Sequence, residues 1–359
     1  MKHLLAFVLA ALLAPLLATA AQAAPLVIRF GVASPSYGSP PGFAGGSAGV
    51  AHAKGFVEEE FKGQDVKVEW IFFKGVGPAV NEALSNGQLD FAFHGDLPSL
   101  VTRANGVKTR AVMGATNRST IYFAVPPASP VRTVQELRGK RIAFTKGTSS
   151  HLPIVRILDA HGLKERDVKI LNLDAATAQA AFLAGDLDAL IGSTIVLKFR
   201  DLGQARLIYT TKSDPAFTPQ SHITVTDSFA AAHPDATRRV VRGLVRGAHW
   251  TAAPEHRDEV LALWARAGVP VKLWQEELAG EPLSLRTSPL YDPFLTTRLR
   301  QSLDEAQRHR LVRGRFDVDT WIDRSFVDAA LKDLKLEGYW TSYDPDGKPV
   351  AGTARTAAR

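Results

Sequence analysis

RIAFTKGTSSHLPIVRILDAHGL (residues 141–163) decides the fold. Ile142, Ala143 and Phe144 form a short apolar run that predicts a buried strand, and Leu152, Val155 and Leu158 recur at helical spacing. Between them, Lys146-Gly147-Thr148-Ser149-Ser150 puts hydroxyls and backbone amides at a helix start. The first amides of a helix lack intrahelical partners and sit at the positive end of its dipole, so such a turn suits an anion. Strand, Gly/Ser turn and helix in succession form one unit of an open α/β sheet.

The same unit recurs on both sides. Upstream, strands are expected at 26–32, 66–73, 89–93, 109–115 and 122–125, with helices at 50–61, 78–86 and 97–104. After Pro130 the rhythm restarts: a short helix at 134–137, strands at 141–144, 168–172, 187–191 and 205–209, and a helix at 175–184. Residues 222–225 predict an edge or crossover strand. From Pro234 the pattern turns helical, over 235–251, 254–267, 274–278, 292–309 and 318–334, with Asp317 or Asp319 as a cap for the last.

Two strand–helix blocks imply two α/β domains of parallel sheet with helices on both faces. The first is expected to comprise residues 24–116 and 227–342, the second residues 117–226, with residues 343–359 as a tail. Two crossover strands would join the domains, and the C-terminal helical region would pack back on the first. Open α/β sheets take ligands at the carboxyl ends of their strands, so a ligand is expected in the cleft between the domains.

The chain starts with Met1-Lys2-His3, an apolar stretch from Leu4 to Leu17, and Ala21-Gln22-Ala23. This is the pattern of an export signal, with cleavage expected after Ala23. The apolar run is shorter than the ~20 residues that a membrane span needs. There is no cysteine, hence no thiol to carry a lipid anchor and no disulfide framework. The expected location is the periplasm. The formal net charge is +7 at pH 7, a modest bias toward anionic ligands. The densest basic group, Arg308, Arg310, Arg313 and Arg315, is flanked by Asp304, Glu305 and Asp317 and lacks interleaved aromatics. It reads as a solvated helix face and not as a nucleic-acid groove.

Four turns combine Gly with Ser, Thr or Asp after an expected strand. They are Gly45-Gly46-Ser47-Ala48-Gly49, His94-Gly95-Asp96-Leu97-Pro98, Lys146 to His151, and Gly192-Ser193-Thr194. Glycine lets backbone approach a ligand closely, and hydroxyls add donors. Each alone is a cap or a tight connection; together they suggest one converging anion site.

GGSAGVAHAKGF (45–56), ALSNGQLDFAFHGDLPSL (83–100), LRGKRIAFTKGTSSH (137–151) and AQAAFLAGDLDALIG (178–192) resemble periplasmic substrate-binding proteins of ABC importers. The resemblance is to the nitrate/sulfonate/taurine branch, and within it to the aliphatic sulfonate-binding proteins. It runs in order through nearly the whole chain after residue 23. It implies a type II, Venus-flytrap fold without catalysis or cofactor, expected to be a monomer. The implied partners are an alkanesulfonate, an inner-membrane ABC permease and its ATPase.

The resemblance further implies that amides and hydroxyls hold the sulfonate head, a role carried to Ser47, Gly95, Asp96, Thr148, Ser149 and Ser150, with Gly46 and Ser193 in the same turns. Arg118 and Arg286 are candidate anion partners, Arg286 lying where the family has an arginine. His151 either faces the cleft or caps its helix. Asp96 either caps the helix at 97–104, orients donors, or meets an amine elsewhere on the ligand. Tyr37, Phe43 and Trp70 either line a ligand tail or belong to core and rim. A sulfonate is ionised at any physiological pH and accepts hydrogen bonds only, so a donor-rich site satisfies it.

Two departures stand out. Gly192-Ser193-Thr194-Ile195 replaces an aromatic and acidic segment that the family often carries, and the loop at 34–44 is longer than usual. Within the binding class, taurine, nitrate, a sulfate ester or a thiamine precursor are alternatives. A pyrimidine-precursor synthase shares the fold but needs a Cys-rich metal motif. Gly45-Gly46-Ser47-Ala48-Gly49 matches G-x-S-x-G, yet it ends a long loop and not a tight strand-to-helix elbow.

Overall fold

The computed structural model describes residues 24–44 and 46–351. The expected export signal, residues 1–23, lies outside the described residues. Among the described residues, ten strands form two five-stranded sheets. In chain order they are β1 (Leu26–Val32), β2 (Val66–Phe72), β3 (Phe91–Gly95), β4 (Thr109–Thr116), β5 (Tyr122–Val125), β6 (Arg141–Ala143), β7 (Lys169–Leu171), β8 (Ala189–Gly192), β9 (Arg206–Thr210) and β10 (Ser221–Thr226). The first sheet has the order β2-β1-β3-β10-β4 and the second β7-β6-β8-β5-β9.

Each sheet is mixed where three parallel strands were expected to continue. β1 pairs in parallel with β2 and β3, and β6 with β7 and β8. Then a strand that has just crossed from the other lobe enters antiparallel: β10 between β3 and β4, β5 between β8 and β9. The segment expected as an edge or crossover strand is thus a crossover strand in the middle of its sheet. Ile223 and Val225 are fully buried there, so the chain is anchored on both sides of each crossing.

Both lobes use the same clasp. Arg29 on β1 donates from its backbone amide (2.8 Å) and guanidinium (2.6 and 3.0 Å) to Asp90, and to the Gly87 carbonyl at 2.7 Å. Arg141 on β6 does likewise to Asp188, at 2.7 Å from its amide and 3.0 and 3.3 Å from its guanidinium, and to the Gly185 carbonyl at 2.9 Å. The clasp fixes the entry of β3 and β8 against their neighbours, and so the height at which each strand's carboxyl end emerges.

The C-terminal helices pack on the first lobe and reach across to the second. Val240, Val241, Leu244 and Val245 of the helix Pro234–Ala252 share a core with Phe30, Phe91 and Val225. Val269 and Leu273 instead pack with Leu197 and Phe199 of the second lobe. On the helix Pro293–Arg308, Leu295 and Leu299 pack with Leu152, and Glu305 accepts from Arg156 at 2.5 Å.

One expected helix, 318–334, is two: Val318–Trp321, capped by Asp317, and Ser325–Asp333. The chain leaves helical geometry at Ile322 to bridge Ala111 beside β4, and Asp323 donates its amide to the Ala111 carbonyl at 2.9 Å. The expected tail is docked as far as residue 351. Tyr343 bridges Pro349, the Phe294 amide donates to the Tyr343 carbonyl, and the Tyr343 amide donates to Asp292 at 3.0 Å. Residues 352–359 lie outside the described residues.

Candidate ligand-binding cleft

β4 and β9 end at the two crossings, where the lobes face each other. The carboxyl edge of the first sheet reads Gly95, Ser221, Thr116 in register across β3, β10 and β4. Gly95 and Thr116 therefore stand two strand spacings apart, roughly 10 Å. That edge divides the expected site residues into two groups.

The first group lies around Gly95, where the lobes touch. A Cβ on Gly95 would stand 2.2 Å from Ser149 Cβ, and one on Gly77 would meet Pro98. Gly147, with φ +79°, lies against Pro78. Thr148 is half-buried and donates to the Thr145 carbonyl at 2.8 Å. Ser149 and Ser150 are also half-buried; Ser150 precedes the helix His151–Ala160 without capping it through its side chain. The 148–150 turn is thus part of the contact between the lobes.

Asp96 is buried behind this contact. It is not the cap of its helix, which begins at Asp96 itself after Gly95. Its carboxylate accepts from the Leu97 amide at 2.8 Å and from the Ser302 hydroxyl at 3.3 Å. Burial pushes its pKa up to about 6, against the pull of Arg156 and these donors.

Two expected ligand contacts are turned away from the cleft. The ring of His151 is 2% exposed; its Nδ1 accepts from the Gly147 amide at 3.1 Å and its Nε2 faces Glu165 at 3.2 Å. Gly147 needs an acceptor for its amide in that strained turn, and the imidazole supplies it. Arg118 donates to the Gly347 carbonyl at 3.1 Å and lies over the rings of Phe294 and Tyr343 at 4.6 and 4.4 Å. It holds the docked C-terminal segment, with its own backbone at φ +55°.

The second group surrounds a cavity of about 210 Å³ between the lobes. The first lobe contributes Ala44, Gly46 and Thr116, the crossing Ser119 and Thr120, and the second lobe Ser193 and Thr194. The C-terminal helices close it with Trp264, Trp274, Glu277, Leu278 and Arg286. Gly46 opens the helix Gly46–Lys54 at φ +56°, and a Cβ there would stand 2.1 Å from Thr116 Oγ1 and 2.8 Å from the Ala115 carbonyl. Only glycine fits so close to β4. Ser47 does not line the cavity: it is fully buried and its hydroxyl donates to the Ala115 carbonyl at 3.4 Å.

Arg286 is the expected anion partner that does reach the cavity. Segment 286–289 is tied to the crossing, where the Asn117 amide donates to the Arg286 carbonyl at 2.8 Å and Asn117 Nδ2 to the Ser288 carbonyl at 3.1 Å. The guanidinium donates to Glu281 at 2.9 Å and to the Thr120 hydroxyl at 3.3 Å, and stands 3.5 Å from Glu277. Glu277 is 3% exposed and accepts from the Thr194 hydroxyl. Burial raises its pKa, opposed by Thr194 and Arg286. Thr194 belongs to the Gly192-Ser193-Thr194 turn, whereas Thr116, Ser119, Thr120, Trp264, Trp274 and Glu277 are lining residues that the turn motifs missed. Their signal is not local: they meet only because the crossings and the C-terminal helices fold over one edge of the sheet. Tyr37 and Phe43 lie at a neighbouring pocket under the 34–42 loop, and Trp70 packs at a tilt against the rings of Phe30 and His52 in the first lobe's core region.

Two lobes joined by two crossings, with a cavity lined from both, are the two-sheet α/β architecture of the periplasmic binding-protein fold. The chain belongs to the NMT1/THI5-like family, whose profile matches residues 48–257. It is 32% identical over 191 residues to a protein of Escherichia coli (strain K12) named as aliphatic sulfonates-binding, a match covering 53% of this chain and 56% of that one. The match thus spans about half the length of that relative. The periplasmic sulfonate-binding protein SsuA of Methylobacillus flagellatus KT superposes with TM-score 0.78 at 28% identity, covering 89% of this chain and 98% of that one. The alkanesulfonate-binding protein SsuA of Xanthomonas axonopodis pv. citri, bound to MOPS, gives TM-score 0.70 at 26% identity, with coverage of 84% and 100%. A desulfurization enzyme, DSZB, shares the fold alone, at 16% identity and TM-score 0.65. Among the described residues no helix is long and apolar enough to cross a membrane.

Proposed function

We propose that this chain is a periplasmic solute-binding protein that captures an aliphatic sulfonate between its lobes and delivers it to an ABC importer. The observation that carries this is the cavity itself: Gly46 at a helix start, hydroxyls of Ser119, Thr120 and Ser193, and the guanidinium of Arg286 surround one space of about 210 Å³. Such a space admits a small organic anion, the size class of a short-chain sulfonate. Hydroxyls, a guanidinium and the first amides of a helix are donors, and a sulfonate accepts from all three. The relatives named for sulfonates support the ligand class. No part of the reading needs catalysis, since the hydroxyl in the G-x-S-x-G string is buried against a carbonyl.

The test is titration of the mature chain, from residue 24 on, with ethanesulfonate, nitrate and sulfate, read by calorimetry and by shift of the unfolding midpoint. Saturation with ethanesulfonate at 100 times Kd stabilises the fold by about 2.7 kcal/mol. Stabilisation by nitrate alone would reject the sulfonate class. Thr120→Val weakens sulfonate binding by about tenfold, the loss of roughly one hydrogen bond to a charged group.

A further inference from the structure

We propose that Glu277 binds the sulfonate as the neutral acid, so that capture of the anion takes up a proton from solvent. This rests on the cavity being the sulfonate site.

Among the described residues that line the cavity, Arg286 is the only cation and Glu277 the only carboxylate. The Arg286 guanidinium donates to Glu281 at 2.9 Å and stands 3.5 Å from Glu277. One cation thus faces two formal negative charges before a ligand enters. Glu277 is 3% exposed, so solvent screens it little. A sulfonate is the anion of a strong acid and takes up no proton itself. Enclosed beside an ionised Glu277, it would meet a like charge out of water, which is costly. A second anion close by raises the pKa of a carboxyl group. The proton therefore goes to Glu277, and the contact changes from repulsion to a hydrogen bond.

The partners of Glu277 point the same way. Its carboxylate accepts from the Thr194 and Thr120 hydroxyls, and both are spent as donors while it is ionised. The neutral acid accepts on one oxygen and donates from the other. One hydroxyl hydrogen is then released to the ligand, and the acid adds its own. No carboxylate is left facing a ligand that only accepts. Burial already raises the Glu277 carboxyl, against the pull of Thr194 and Arg286. The charges on neighbouring elements leave this balance intact. Burial pushes the phenol of Tyr122 on β5 up and keeps it neutral. Arg200, on the helix Ile195–Asp201, and Glu276 pair with each other at 2.5 and 2.7 Å.

The test is calorimetry of ethanesulfonate binding to the chain from residue 24 onward at pH 8, in Tris and in bicine, buffers of different ionisation heat without a sulfonate group. The heats differ by the uptake of roughly half to one proton per ligand, and affinity falls at least about tenfold from pH 6 to pH 9. Glu277→Gln has no proton to gain: its heats reveal no uptake, and it binds equally at pH 6 and pH 9. Asp96 is the other carboxyl group that burial raises, and Asp96→Asn keeps the uptake. Absence of uptake with a flat pH profile overturns the inference while the sulfonate site stands. Uptake that persists in Glu277→Gln, or is lost in Asp96→Asn, does the same. Ethanesulfonate that binds at no pH removes the sulfonate reading and this inference with it. Should Glu277→Gln fail to fold, the wild type and Asp96→Asn decide.

Discussion

Single residues set how closely the lobes meet. Gly95 has ordinary backbone angles, φ −75° and ψ 171°, so its need to be glycine comes from Ser149 across the cleft. Gly95→Ala should therefore leave the lobes folded and hinder their closure: ligand affinity falls tenfold or more while the ligand-free unfolding midpoint moves little. Gly46→Ala is the contrasting case. It strains a left-handed residue and drives a methyl into Thr116 and Ala115, so the ligand-free fold loses about 1–3 kcal/mol, visible in urea denaturation. The glycine turns were legible in the sequence because strand, glycine and hydroxyl follow one another locally. The true orientations of His151 and Arg118 were not, because each is set by a partner that only the fold brings near: Gly147 and Glu165 for one, the C-terminal segment for the other.

At the scale of elements, β3 and β10 hold His94 and His222 opposite each other in register. Burial lowers both pKa values from 6.5 to about 3. His94 faces Thr224 at 3.1 Å and His222 faces Ser99 at 2.6 Å. Each is neutral when folded, whereas the unfolded chain takes up protons below 6.5. The folded state is then favoured above pH 6.5 and loses that advantage as pH falls toward 3. Asp96 works the other way: its raised pKa means the folded state holds a proton more tightly between about 4 and 6, so its contribution declines as pH rises through that window. Two histidines outweigh one aspartate, so urea midpoints should fall from pH 6.5 to pH 4. His222→Gln should flatten that slope, and Asp96→Asn should steepen it. The twin clasps give a second test. Arg141→Ala should lower the unfolding midpoint by loosening β6 from β8, as Arg29→Ala should for β1 and β3. The α/β rhythm that predicts these strands was readable from apolar runs. The insertion of β5 and β10 into the middle of each sheet was not, since register is decided by pairing across the chain and not by local pattern.

For the whole molecule, the C-terminal helices do more than cover the first lobe. Val269, Leu273 and Glu305 tie them to the second lobe, and Trp264, Trp274, Glu277 and Arg286 form one wall of the cavity. The cavity therefore draws on three bodies of sequence, with the crossings at residues 117–121 and 211–220 between the lobes. Sequence alone pointed to the cleft and to Arg286, and it pointed to hydroxyl-rich turns. It carried the sulfonate role to Ser47, Gly95, Asp96 and residues 148–150, with Gly46 and Ser193 in the same turns; of these, Gly46 and Ser193 line the cavity, while Gly95 and Ser149 meet roughly 10 Å along the sheet edge from Thr116. The most direct measurement is a crystal structure of the chain grown with a short sulfonate. The account predicts the sulfonate between Gly46, Thr120, Ser193 and Arg286, with Gly95 still against Ser149. A sulfonate bound instead at the 148–150 turn, or lobes that stay apart with the sulfonate held by only one of them, would contradict it.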